Sequence, residues 1–172
     1  MRFATLDPVA LERRIRDMQM KLSQAQSRGD ECAILDHAAD LGGLLTTAGD
    51  EAAALTLLRE HESLADAHRT VEQSAWYWNA LATAMQYVGQ REGAEGCFAK
   101  AVAVAQESGW KRIEAMALHH WGRNLVEQGR LDEAESRFTQ ALAIREARGE
   151  PMQTSSRAAL VGLARLRAVG EV

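Results

Sequence analysis

The stretch GRLDEAESRF, residues 129–138, returns twice in related form, as GQREGAEGCF at 89–98 and as GDEAAALTLL at 49–58. Each copy begins with glycine, has alanine five positions later and ends in a large apolar residue. The copies start 40 residues apart, and glycine readily takes the positive φ at which many helices end. The registration predicts an internal repeat with a chain reversal in every copy.

The residues before each of these glycines keep the same register. Eight positions before the glycine lies a large apolar residue, at Leu41, Leu81 and Trp121. Seven positions before it lies a small residue, at Gly42, Ala82 and Gly122. Four positions before it lies another large apolar residue, at Leu45, Met85 and Leu125. A second set of breaks is also 40 residues apart, at Gly29, Arg69, Gly109 and Gly149. Each unit is therefore predicted to be two amphipathic helices that approach closely at the small residues. One such hairpin cannot bury its apolar stripe alone, so the units are expected to stack.

The composition agrees with an all-α fold in one domain, residues 1–172. The chain is 47% hydrophobic and 26% charged, strong helix formers dominate, and no long strand-like alternation occurs. We expect about eight antiparallel helices: an N-terminal half-unit at 7–28, full units at 31–68, 71–108 and 111–148, and a closing helix at 152–168.

Charge and cysteine content exclude several classes of protein. The net charge is −4 and no lysine or arginine cluster stands out, which argues against a nucleic acid partner. Cys32 and Cys97 form no CxxC motif and are typical of free thiols in a reducing compartment. The N-terminal stretch MRFATLDPVALERRIRDMQ has no apolar core of signal-peptide length, and no run of 18 apolar residues occurs. We therefore expect a cytoplasmic protein without a membrane partner.

The repeated positions resemble the tetratricopeptide repeat (TPR). The pattern WxxLAxxM at 78–85 is followed by AxxxF at 94–98, and LxxWGxxL at 118–125 is followed by AxxxF at 134–138. The resemblance covers about residues 31–166. It departs from the family in its period of 40 rather than 34 and in the missing proline near the end of the second helix. It implies a right-handed TPR-like superhelix of the long-repeat kind, found among bacterial regulators, peptide sensors and eukaryotic adaptors.

Three neighbouring aromatic residues occur in SAWYWNA, residues 74–80, and cannot all face one way on a helix. Trp78 lies at the signature tryptophan position of the repeat and is predicted to pack in the core, while Tyr77 is predicted to pack against the adjoining helix. The positions equivalent to Trp76 are Asp36 and Met116, so packing does not require an apolar residue there. The resemblance implies that first-helix positions of this phase line a concave groove.

The groove is the predicted binding site for a protein or peptide. Its candidate residues are Trp76, Asn79, Thr83, Gln86, Tyr87, Met116, His119 and Arg123, with Asp36, Ala39, Gly43 and Thr46 in the first unit. A large apolar anchor beside a few polar groups suits a peptide. In the alternative, Trp76 leans onto Met116 and only closes the groove. The carboxylate clamp known in the family is not expected, since these positions hold no lysine.

The sequence predicts no enzyme. No GxSxG, HExxH or P-loop pattern occurs, and no pair of carboxylates is constrained for acid–base work. His119 and His120 are helical neighbours that diverge, so we expect no metal site and no cofactor. His119 is expected in the groove and His120 at a contact between helices.

The closing helix, SSRAALVGLARLRAVG, is apolar over more than half of its circumference. Its residues Leu160, Leu163 and Leu166 are candidates for a homodimer interface; the alternatives are docking of another protein or packing of the helix over its own superhelix.

The leading functional hypothesis is a non-catalytic adaptor that binds a protein or peptide in its groove. The alternatives are a peptide-sensing regulatory subunit that changes curvature and a structural homo-oligomer assembled through its terminal helices.

Overall fold

The computed structural model describes residues 7–170, which form nine α-helices and no strands. The helices are α1 Pro8–Arg28, α2 Glu31–Ala48, α3 Glu51–Arg59, α4 Glu62–Ala67, α5 Glu72–Tyr87, α6 Arg91–Ser108, α7 Lys111–Glu127, α8 Leu131–Ala147 and α9 Gln153–Gly170. The all-α prediction is confirmed. Residues 1–6, the start of the stretch in which we expected no signal peptide, lie outside the described residues. None of the helices within 7–170 has the length and apolarity needed to cross a membrane.

The first helices of the units lie side by side. Helix α5 packs against α2 on one side and α7 on the other, while α3, α6 and α8 pack against the first helices of their own units. Helix α1 covers α2 at one end, and α9 packs on α8 at the other. One layer of the molecule is therefore built from α2, α5 and α7, and this layer carries the candidate site.

The turns fall where the repeated glycines are. Within residues 7–170, positive φ occurs only at glycine: Gly29, Gly49, Gly89, Gly109, Gly129 and Gly149. At Gly49, with φ of 89°, the following Asp50 N–H donates to the Leu45 carbonyl at 2.9 Å and so closes the end of α2. The 20-residue spacing is broken only at Arg69, where a side chain disfavours this conformation.

The second helix of the first unit is divided into α3 and α4, a feature that the expectation of eight helices missed. The Tyr77 hydroxyl donates to the Leu58 carbonyl, which in a continuous helix would accept from the Glu62 N–H. Instead the His61 N–H donates to Leu58 at 3.1 Å in a tighter turn. The equivalent of Tyr77 in the next unit is Ala117, which has no hydroxyl, and α6 is unbroken. A side chain that takes a ladder carbonyl is a recognised cause of such breaks.

Small residues on the first helices permit close contact with large residues on the second helices, as the repeat predicted. A Cβ built on Gly42 would lie 2.7 Å from Leu58 Cδ1, and one on Gly122 would lie 2.7 Å from Phe138 Cε1. Leu58 is fully buried and Phe138 is 2% exposed. These contacts fix one face of each first helix against its own unit, so the opposite face remains for the groove.

Two adjacent glycines provide a stability test of this packing. We expect Gly43→Ala to raise the free energy of unfolding by up to about 1 kcal/mol, because alanine favours helix and nothing lies within 4 Å of the added Cβ. Gly42→Ala is expected to be about 1–3 kcal/mol less stable than Gly43→Ala, because its Cβ meets the buried Leu58 side chain. Chemical denaturation followed by circular dichroism measures both variants. Equal stabilisation by the two substitutions would contradict the close contact.

Candidate functional site

The groove lies on α2, α5 and α7 and contains two pockets that share Trp76. The first, the Tyr87 pocket, has a volume of about 190 Å³. The second, the Asp36 pocket, has a volume of about 360 Å³. Small-molecule pockets usually measure about 300–1,000 Å³, so the Tyr87 pocket is suited to one side chain of a larger partner.

Most of the predicted groove residues line these pockets. The Tyr87 pocket includes Trp76, Asn79, Thr83, Tyr87 and Arg123, with Ala39, Gly43 and Thr46 from the first unit. The Asp36 pocket includes Trp76, Met116 and Asp36, and adds Asp40, Glu72 and Arg112. The structure therefore brings residues from all three first helices to one surface.

Trp76 is the wall between the two pockets. Its indole Nε1 donates to Asp40 Oδ1 on α2 at 3.0 Å, and its ring is half-buried against the core. This bond links the indole to α2. Tyr77 is fully buried and Trp78 is 1% exposed, so the predicted division of the three aromatics is confirmed for these two.

The Tyr87 pocket is held by hydrogen bonds between its helices. Arg123 Nη2 on α7 donates to the Tyr87 hydroxyl on α5 at 3.0 Å. Thr83 Oγ1 donates to the Asn79 carbonyl at 2.8 Å and lies 3.3 Å from His120 Nδ1. These contacts fix the walls of the pocket before any partner arrives.

Gln86 does not lie with the other predicted groove residues. It is 2% exposed, and its Nε2 donates to Glu127 Oε1 at 2.9 Å, where Arg91 also binds the Glu127 carboxylate. Neither pocket includes Gln86. The amide joins α5 to α7, so Gln86 has a structural role and is not a groove residue.

The groove position predicted for His119 is wrong, whereas His120 lies at a contact between helices as predicted, 3.3 Å from Thr83 on α5. His120 lines the Tyr87 pocket, whereas His119 is 8% exposed and packs on Phe138 with ring centroids 5.3 Å apart. His119 Nδ1 lies 3.3 Å from Ser156 Oγ on α9. The reason is the closing helix: α9 covers the side of α7 that carries His119, and the repeat register does not specify its position.

Both imidazoles are uncharged at neutral pH. Burial, followed by the charges of Arg145 and Arg123, lowers the pKa of His119 to about 4. Burial likewise lowers the pKa of His120 to about 3. Arg145 Nη1 donates to Ser156 Oγ at 2.7 Å, which leaves the hydroxyl proton for His119. The histidines supply hydrogen bonds and packing, and neither is tuned to exchange protons near pH 7.

The acidic side of the groove was only partly predicted. Asp36 was a candidate, but Asp40 and Glu72 were not. Burial raises the pKa of Asp36, and the negative charges of Asp40 and Glu72 raise it further, while His37 lowers it. The pair Asp36 and Asp40, one helical turn apart, was the sequence signal that could have revealed this side.

The three leucines proposed for an interface of α9 lie in different environments. Leu163 is 2% exposed and packs with Leu125 and Phe138, and Leu160 is partly buried against the same cluster. Leu166 is 50% exposed, and Val161 on the same helix is 52% exposed. Leu163 therefore belongs to the core of the chain, because α9 uses this residue to pack on the third unit.

Acid should weaken the fold through His119. The unfolded chain binds a proton near the ordinary pKa of 6.5, whereas folded His119 does so only near 4. Between these values the unfolded state binds more protons, so stability present above pH 6.5 is lost as the pH falls towards 4. We expect a loss of about 2 kcal/mol from this residue between pH 7 and pH 4.5, measured by urea unfolding across that range.

The control for this titration is His119→Gln, which retains a side-chain acceptor for the Ser156 hydroxyl. Its stability should fall less steeply over the same pH range. An unchanged slope would show that His119 does not carry the pH dependence. Asp36 acts in the opposite sense, because its raised pKa favours the folded state as the pH falls.

Comparison with known proteins identifies the fold. Residues 72–147, which contain α5 to α8, match the family model described as tetratricopeptide repeat. One similar solved structure is BtubC (BKLC) from P. vanneervenii, with a TM-score of 0.74, 19% identity, and coverage of 92% of this chain and 67% of that chain.

A second similar structure is that of a Podosopora anserina protein described as a kinesin light chain with nearly identical TPR-like repeats. It has a TM-score of 0.66 and 16% identity, and the match covers 96% of this chain and 90% of that chain. No curated protein matches the sequence. At these identities the likeness shows the fold alone. The chain therefore has a TPR-like helical-repeat fold, and its residues 72–147 match the tetratricopeptide repeat family model.

Proposed function

We propose that this chain is a non-catalytic cytoplasmic adaptor that binds a protein or peptide in the groove on α2, α5 and α7. TPR repeats generally mediate protein–protein interactions, and the particular surface is our inference. The observation that carries it is Trp76, whose half-buried indole forms the wall of two adjoining pockets. The free thiols of Cys32 and Cys97 are compatible with a reducing compartment.

The groove has the features of a peptide site. A large aromatic anchor is fixed by a hydrogen bond, and polar side chains from three helices surround it. Because Arg123 and Tyr87 are already bonded to each other, the Tyr87 pocket needs little reorganisation on binding. The acidic residues at the other end of the groove are unfavourable to nucleic acid.

The second candidate is a homo-oligomer assembled through α9. It is favoured by the exposed side chains of Val161 and Leu166 on that helix. Because Leu163 is buried, a substitution there would damage the fold and not report on an interface. Leu166 is the residue whose replacement separates the two candidates.

Affinity capture from the native cell lysate, read by mass spectrometry, tests the proposal. Wild type and Trp76→Ala are compared, and we expect a partner held by wild type to be reduced at least about tenfold by the substitution, since central aromatic anchors are worth about 2 kcal/mol or more. Trp76 is half-buried, so its replacement should lower the melting temperature less than Trp78→Ala, which removes a core residue.

The matched control is Leu166→Glu, which changes the exposed end of the molecule. It should retain the partner that Trp76→Ala loses. If Leu166→Glu lost the partner while Trp76→Ala captured it fully, the groove would not be the binding site, and assembly through α9 would be favoured.

A further inference from the structure

We infer that the partner of the groove is an extended peptide segment that places a lysine or arginine side chain in the Asp36 pocket. The inference rests on the proposed function and adds the chemical class of the partner. Three features of the groove support it: the charges of the pocket, the side chains of Trp76 and Met116, and an unsatisfied amide next to them.

The Asp36 pocket has more negative than positive charge. Three carboxylates line it, those of Asp36, Asp40 and Glu72, against the single guanidinium of Arg112. Among residues 7–170, Asp36 has one ion-pair contact, to His37 at 3.9 Å, and no ion pair is formed by Asp40, Glu72 or Arg112. The carboxylates therefore repel one another, and one guanidinium does not balance three of them. A bound basic side chain would supply further positive charge.

The walls of this pocket suit a long basic side chain. Trp76 presents an indole next to the carboxylates, and tryptophan is the best aromatic partner for a cation. The same protein already uses this contact elsewhere, where Lys100 Nζ lies 3.9 Å from the centre of the Trp78 ring. Met116 on the α7 side offers apolar surface for the methylene groups of lysine or arginine.

Asn79 supplies an independent sign that the groove is incomplete. It is 2% exposed and lines the Tyr87 pocket, on the other side of Trp76. Within residues 7–170 its side chain makes no hydrogen bond, and its Oδ1 is buried without a partner. A buried amide oxygen left without a hydrogen bond destabilises the folded chain. A peptide backbone offers both an N–H and a carbonyl to such an amide, whereas an isolated cation does not.

The two pockets are spaced for nearby side chains of an extended segment. The centres of their linings are about six residues apart along α2 and about seven to eight apart along α5 and α7, or about 9–12 Å at the helical rise of about 1.5 Å per residue. An extended chain rises about 3.3 Å per residue, so this distance corresponds to about three residues. The basic residue and the side chain in the Tyr87 pocket should therefore be about three positions apart in the partner.

Selection from a random heptapeptide phage library on the full chain tests the inference. We expect the selected peptides to be enriched in lysine or arginine, with a preferred second residue about three positions away. A selected peptide, synthesised with a fluorescent label, should bind Asp36→Asn/Asp40→Asn about tenfold more weakly than wild type, and its affinity should fall with added salt. An asparagine side chain in place of Asp40 still offers an acceptor to Trp76, and a melting curve checks the fold.

The matched control is Glu92→Gln/Glu107→Gln, which removes two exposed carboxylates from α6, outside the groove. It should bind the peptide as wild type does. Peptides that need Trp76 but show no basic enrichment, and that bind Asp36→Asn/Asp40→Asn as tightly as wild type, would overturn this inference and leave the proposed function standing. Failure to select any peptide would overturn this inference and leave the proposed function to the capture experiment. Peptides that bind Trp76→Ala as tightly as wild type would count against the groove and so overturn both.

Discussion

The close approach of a large second-helix side chain to a small first-helix residue is the constraint on which the structure depends. At Gly42 and Gly122 even one added carbon would meet Leu58 or Phe138 at 2.7 Å. Each first helix is thereby held with one face against its own second helix. The opposite faces of α2, α5 and α7 are then left side by side, and the groove is the consequence of that arrangement.

The same constraint divides the three aromatics of SAWYWNA. Trp78 is buried, with Lys100 against its ring, and Tyr77 is buried with its hydroxyl on the Leu58 carbonyl. The Tyr77 bond coincides with the division of the preceding helix into α3 and α4. Trp76 is turned by about 100° from its neighbour and reaches Asp40 on the adjacent first helix. The groove therefore receives the one aromatic of the three that is only partly buried.

The sequence predicted whatever the repeat itself determines. The glycine turns, the small–large contacts and the burial of Trp78 recur at fixed positions, so their register was enough to place them. The residues whose positions were predicted wrongly depend on contacts that the repeat register does not specify. His119 and Leu163 are buried through α9, a helix without an equivalent in the middle of the chain. Gln86 is committed to Glu127 by a side-chain hydrogen bond that no periodicity encodes.

The surface around Trp76 is expected to receive the partner, and nuclear magnetic resonance of the indole N–H groups can test this in solution. The chain has four tryptophans, so selective ¹⁵N labelling gives few signals, which single substitutions assign. On titration with the captured partner, the Trp76 signal should shift, because its N–H is bonded to a carboxylate of the groove, while that of Trp110, outside both pockets, should stay in place. An unchanged Trp76 signal at saturation would contradict the account.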